Sequence, residues 1–312
     1  MFMNHPTIDV CIPTYRPDEK LIRLLELLLR QSLPLNKIII INTEQSIWDS
    51  FWENRQLPND DRIEVTHISA EEFDHGATRR LAASKSDAEY MVMMTQDAVP
   101  YDETLISELS KQLELDANIA VAYARQLPNS DASPEECYVR SFNYPEVSKI
   151  KTKEDLPELG IKTFFCSNVC AMYRKSIYSE LGGFVTKTIF NEDMIYAHKA
   201  IEAGYSICYC APAKVLHSHN YSAMDQFHRN FDLAVSQAQH PEVFEGLKSE
   251  GEGMKLVKGC ISYLRKVKKI LRIPGFVWNC GWRFLGFKMG RKYKSLPGNI
   301  VLKFTSNKAY WK

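Results

Sequence analysis

The sequence predicts an α/β protein: a mostly parallel central sheet with helices on both faces, plus a basic helical C-terminal extension. Three observations carry that expectation. Short apolar runs alternate with segments of helical periodicity through residues 7–240, the pattern of successive βαβ units. The run Tyr90-Met91-Val92-Met93-Met94 is unbroken and apolar, as a strand buried on both faces is. Residues 255–312 hold 15 Lys/Arg and no Asp or Glu. The remaining 24 basic residues therefore face all 38 acidic ones, so a net charge of +1 hides a body of net −14. Such a split marks a basic tail with an anionic partner, either membrane or nucleic acid.

In chain order, residues 7–13 form a first strand, followed by the loop Thr14-Tyr15-Arg16-Pro17. Residues 18–31 carry Leu21, Leu24, Leu25, Leu28 and Leu29 at helical spacing. Residues 37–41 are a second buried strand ending at Asn42-Thr43-Glu44, and residues 63–68 alternate as a third. The polar stretch Phe73-Asp74-His75-Gly76-Ala77-Thr78-Arg79-Arg80 opens a helix that leads to Ser86. The Met91 strand stops at Thr95-Gln96-Asp97. A helix over 104–115 and a strand over 119–124 follow.

Residues 126–161 are polar and contain four prolines, which reads as a long insertion over the active edge of the sheet. Residues 163–173 read as a strand, and Arg174 begins a short helix ending at Gly182-Gly183. Asn191-Glu192-Asp193 opens a helix through Ala203. Residues 205–210 form the last sheet strand, ahead of Val215-Leu216-His217-Ser218-His219-Asn220, and 222–239 are helical. The expected division is a domain over 1–240 and a basic region over 241–312.

Composition excludes several classes. The N-terminus lacks the basic and apolar regions of a signal peptide. No apolar run reaches the roughly 18 residues of a spanning helix. Eight scattered cysteines form no CxxC pair, which argues against zinc ribbons and thioredoxin-like sites and fits reduced thiols in the cytosol.

Asp97 stands at the carboxyl end of a strand, the edge of an open α/β sheet where ligands bind. Its carboxylate is a hard oxygen ligand suited to Mg²⁺ or Mn²⁺. An Asp ahead of Val99-Pro100 also serves simply to shape a turn.

The order of these features resembles family 2 glycosyltransferases of the GT-A fold. The resemblance rests on Ile12-Pro13-Thr14-Tyr15, the polar end of the second strand, His75-Gly76-x-x-Arg79 and Asp97. Leu181-Gly182-Gly183-Phe184 and Glu192-Asp193 ahead of Ala203-Gly204-Tyr205 complete it. The wording around His75, Gln96 and His217-Ser218-His219 is most similar to bacterial polysaccharide rhamnosyltransferases.

The resemblance implies an inverting, metal-dependent transfer from a dTDP-sugar, with dTDP-L-rhamnose the expected donor. It implies a polyprenyl-diphosphate-linked glycan as acceptor. Asp193 would be the general base, and Asp97 with His217 would hold Mn²⁺ or Mg²⁺. Thr14, Tyr15, Arg16, Asn42, Glu44, Gly76, Arg79 and Gln96 would contact the nucleotide sugar. Two departures stand out: Thr95 replaces the first Asp of the usual Asp-x-Asp, and Asn42 replaces a usual Asp. They keep two alternatives in view, a non-catalytic nucleotide-sugar-binding module and a transferase of UDP-hexose or UDP-N-acetylhexosamine. Acidic residues in a first helical turn also serve as caps, and a lone His is often structural.

In the tail, Ile261, Leu264, Val267 and Leu271 lie near helical spacing among Lys258, Arg265, Lys266, Lys268, Lys269 and Arg272. Trp278, Trp282, Phe284 and Phe287 follow, interleaved with Arg283 and Lys288. This combination suits a helix in a membrane interface, where each Lys or Arg near anionic headgroups contributes about 1 kcal/mol. A helix packed on the domain is the alternative. Nucleic acid would explain the charge but not the apolar clusters, so none is expected as a partner. The implied location is the cytoplasmic face of the cell membrane, with self-association also open.

Overall fold

The structure is a computed structural model that describes residues 5–246 and 251–312. Its first half alternates as expected, with α2 and β5 as additions that the sequence pattern did not give: β1 (Ile8–Tyr15), α1 (Glu19–Leu29), β2 (Lys37–Thr43), α2 (Gln45–Trp52), β3 (Ile63–Ile68), α3 (His75–Ser84), β4 (Tyr90–Met94), β5 (Val99–Pro100), α4 (Leu105–Leu115) and β6 (Ile119–Leu127). There follow α5 (Pro134–Asn143), β7 (Lys149–Lys151), α6 (Leu156–Leu159), β8 (Cys170–Arg174), α7 (Lys175–Glu180), α8 (Glu192–Glu202) and β9 (Ser206–Leu216). The chain ends in α9 (Ala223–Gln239), α10 (Pro241–Phe244), α11 (Glu252–Lys266), α12 (Ile273–Arg291) and α13 (Gly298–Phe304).

The sheet runs β3-β2-β1-β4-β8-β6-β9-β5, with β7 added on β9. β3, β2, β1, β4, β6 and β9 share one direction, and β8, β5 and β7 oppose their neighbours. One face is covered by the leucines of α1 and α4, the other by Ala82 and Ala83 of α3 and Tyr196 and Ala200 of α8. Two covered faces explain the unbroken apolar strands, because each side chain of β4 enters one core or the other.

Three expectations are corrected. Residues 163–173 are not one strand: Gly160–Phe164 is a 3₁₀ helix, and the chain pairs with the sheet only from Cys170. Phe164 and Cys166 are buried as turning backbone beneath α8, and burial alone cannot separate such a run from a strand. The 126–161 stretch is not loop throughout, since β6 runs on to Leu127 and α5, β7 and α6 occupy much of the rest. β9 is longer than the six residues expected. Its register against β6 shifts between Ala124 and Arg125, so residues 211–213, including Pro212, bulge out, and the strand resumes to Leu216.

The tail packs against α9 of the body. α12 lies on α9 through Gly286 and Gly290, where an added Cβ would sit 2.3 Å from the Phe227 carbonyl oxygen and 2.2 Å from that of Phe231. Only glycine permits that approach. The buried carboxylate of Asp232 on α9 accepts from Thr305 Oγ1 at 2.7 Å and from the Ser306 backbone N–H at 2.8 Å, fastening the chain beyond α13. The opposite surface stays in solvent: Ile270, Leu271, Val277, Trp278, Phe284 and Leu285 are all exposed. No helix among the described residues is long and apolar enough to cross a membrane.

Candidate active site

The carboxyl ends of β4 and β9 bring Asp97, His217 and His219 together, with one ligand atom from each lying within 4.8 Å of the others. Asp97 faces His217 Nε2 at 3.6 Å and His219 Nε2 at 3.3 Å. His217 is oriented from behind, its Nδ1 lying 2.9 Å from Gln126 Oε1. The Gln126 amide nitrogen donates to Tyr144 and Ser167, so its oxygen is the acceptor and His217 Nδ1 carries the proton. That leaves the Nε2 lone pair facing His219 Nε2 at 3.0 Å and Asp97 at 3.6 Å, the tautomer a metal ligand needs. Burial pushes His217 down to about 3, so its ring is neutral at neutral pH. Burial opposes ionisation of Asp97, yet the two imidazoles beside it hold its carboxyl below the usual range. One ionised oxygen donor and two imidazoles fit a divalent cation, with His219 standing as a third potential donor beside Asp97 and His217.

Asp193 opens the wall of an adjoining pocket of about 330 Å³, which His217, His219, Asn168 and Arg229 also line. Asn191 precedes α8 in the left-handed region at φ 63, a conformation Asn tolerates, and this turns Glu192 and Asp193 toward the pocket. The two acids have different surroundings. Glu192 is 5% exposed, lies 3.2 Å from Arg79 Nε and accepts from Asn168 Nδ2 at 3.0 Å. Asp193 accepts two backbone N–H bonds, from Asn168 at 3.1 Å and from Met194 at 2.8 Å. Burial and the neighbouring Glu192 charge push its pKa up to about 7. A carboxylate poised there takes a proton near neutral pH.

The residues expected to contact the nucleotide sugar separate into three groups. Tyr15 is 43% exposed, and Arg16 follows it with φ 50 at the end of β1. Glu44, at φ 67, accepts from the Ala70 N–H at 2.5 Å and shapes the rim beside β2. Thr14 and Asn42 are closed inside: the Thr14 hydroxyl donates to Asn42 Oδ1 at 3.2 Å, and the Asn42 amide reaches His67 Nδ1 at 3.0 Å.

Three of the expected contacts are also engaged within the protein itself. Gln96 exchanges both amide bonds with the Tyr15 backbone, at 2.9 Å each, and so ties β1 to β4. Gly76 is required by packing, because a Cβ there would lie 1.8 Å from the Val185 carbonyl oxygen. Arg79 donates to the His75 carbonyl at 3.0 Å and pairs with Glu192, so it braces the acid pair from within the fold. Among the described residues, the uncommitted guanidinium in this pocket is that of Arg229, held over the Phe190 ring at 4.7 Å and the Tyr221 ring at 5.7 Å. Gln126, Asn168 and Arg229 were missed because an isolated polar residue in a strand, loop or helix has no local signature.

The family model for "Glycosyl transferase family 2" matches residues 9–182. The chain belongs to glycosyl transferase family 2. It is 38% identical over 309 residues to the O-antigen chain rhamnosyltransferase RfbN of Salmonella typhimurium, covering 97% of this chain and 96% of that one. It is also 38% identical over 286 residues to the O-antigen chain rhamnosyltransferase WbaN of Salmonella anatum, covering 90% and 88%. Among solved structures, the mannosyltransferase PcManGT of Pyrobaculum calidifontis, in complex with GDP-Man and Mn²⁺, aligns with a TM-score of 0.58 at 14% identity, over 94% of this chain and 87% of that one. That likeness is one of fold, and with it the GT-A architecture of this family 2 member is established.

Proposed function

We propose that this protein transfers L-rhamnose from dTDP-L-rhamnose onto a polyprenyl-diphosphate-linked glycan during synthesis of an O-antigen-type surface polysaccharide. The observation that carries the reading is 38% identity, along nearly the whole chain, to two O-antigen chain rhamnosyltransferases. Asp193 accepts the acceptor hydroxyl's proton on a carboxylate oxygen as that hydroxyl attacks the anomeric carbon. Glu192 is spent on Arg79 and Asn168, so Asp193 acts alone, and a single base opposite the leaving group gives inversion. Asp97, His217 and His219 would hold a divalent cation, which when bound neutralises charge on the departing diphosphate. Mixed oxygen and nitrogen donors favour Mn²⁺ over Mg²⁺. Arg229 adds a fixed positive charge at the same pocket. Tyr15, Arg16 and Glu44 are the candidates to frame the nucleoside.

The test is transfer of labelled sugar from dTDP-rhamnose, GDP-mannose, UDP-hexose and UDP-N-acetylhexosamine onto membranes of source cells lacking this protein. Label arriving from dTDP-rhamnose alone, with Mn²⁺ and not in excess chelator, is the expected result. Transfer from a UDP-sugar would replace the donor, and no turnover of any donor would favour a binding module.

The exposed Leu271, Trp278 and Phe284 beside Lys268, Lys269 and Lys288 support peripheral docking on the cytoplasmic face of the membrane. The full chain is expected to sediment with anionic vesicles at low salt and less at high salt. Absence of sedimentation at low salt would remove the membrane from the list of partners.

A further inference from the structure

A second cleft, of about 620 Å³, lies between α5, the loop after β9 and α12, outside the pocket of Asp193. The two cavities share His219 and Tyr221, so they meet at the metal-ligand cluster. Leu271, 97% exposed on the apolar and basic ridge of the tail, also lines the cleft. The cleft therefore runs from the reaction pocket to the surface that would face a membrane.

Its walls carry polar groups the fold does not use. Among the described residues, the side-chain amides of Gln226 and Asn279 make no hydrogen bond, and Arg283 has no acidic partner. Glu135 accepts from Arg272 at 2.7 Å through one oxygen, and its Oε2 is buried with no partner. Neighbouring sugar hydroxyls each donate and accept, so amides and carboxylates are the side chains that pair with them. The ring of Tyr221, stacked on His219 at 4.8 Å, adds an aromatic edge where the two cavities meet. The volume falls in the range of ligand-binding clefts.

We propose that this cleft binds the glycan of the lipid-linked acceptor, and this rests on the transferase reading given above. The sugar to be extended enters past Tyr221 toward Asp193. The following residues lie along Gln226 and Asn279, and the diphosphate end reaches Arg283 and Arg272 beside the ridge. The position explains why α12 is clamped so tightly to α9: the helix is one wall of the site.

The test measures KM for lipid-linked acceptor, extracted from membranes of source cells lacking this protein, alongside hydrolysis of the sugar nucleotide by water. Asn279→Ala and Arg283→Ala are each expected to raise acceptor KM by about 5- to 50-fold, the loss of one or two hydrogen bonds to a polar ligand. Donor hydrolysis should stay within about twofold, which also shows that the variants fold. Arg291→Ala removes the same charge from α12 outside the cleft and should leave acceptor KM unchanged. Unaltered KM in both cleft variants would overturn the proposal, and so would an equal rise in Arg291→Ala, which would assign the effect to surface charge. If the unaltered chain turns over no sugar nucleotide, the transferase reading itself fails, a result distinct from either.

Discussion

The start of α8 and the end of β9 deliver ionisable groups to the same pocket by opposite means. At α8 the charges are neutralised by one another. Glu192 is paired with Arg79 and bonded by Asn168, and only Asp193 is left to act, raised to about 7 by burial and by Glu192. At β9 the charges are left open. His217 is fixed through its rear nitrogen by Gln126, and its front nitrogen, with His219 and Asp97, is bonded to little besides its neighbours in the cluster. A base must have its proton affinity tuned, and a buried, closed network does that. A metal site must keep lone pairs available, and rigid support from behind does that. Two arginines mark the same contrast: Arg79 is consumed by the closed network, and Arg229 faces the open one.

The most severe way to break the α8 side is Asp193→Asn, which keeps shape and removes the proposed base. Transfer should fall by about 10²–10⁴-fold while dTDP binding, followed by calorimetry, is retained. A variant with near-native turnover would move the base elsewhere.

On the β9 side, Gln126→Leu leaves Asp97, His217 and His219 in place but frees the imidazole to rotate and change tautomer. Mn²⁺ affinity, measured by titration without substrate, should weaken by about 10- to 100-fold. Unchanged affinity would mean that Gln126 is only packing.

A smaller effect sharpens the role of Glu192. Asp193 must be deprotonated to act, so kcat/KM should fall about tenfold per pH unit below pH 7, through the raised pKa of about 7. Glu192 charge raises that pKa, so Glu192→Gln should shift the acid limb to lower pH. A limb that stays in place, with the variant folded by circular dichroism, would leave burial as the sole cause.

The sequence by itself determined the βαβ alternation, because apolar runs of strand length and leucines at helical spacing are local signals. It also determined the ends of β4, β9 and α8 as the places to look, and Asp97, His217 and Asp193 stand at those ends around adjoining cavities. Tertiary structure decided which polar residues remain available. Arg79, Gln96 and Gly76 read as ligand contacts in one dimension, and the fold adds what the sequence cannot show: their engagement with Glu192, with the Tyr15 backbone and with the approach of Val185. Gln126 and Asn168 gain their meaning only from partners 91 and 25 residues away. The basic tail shows the same division. Its charge and aromatic content are visible in composition, but which face is buried depends on Gly286 and Gly290 meeting the α9 backbone. Hydrogen bonding and close packing are pairwise and long-range, and a single strand of letters records only one member of each pair.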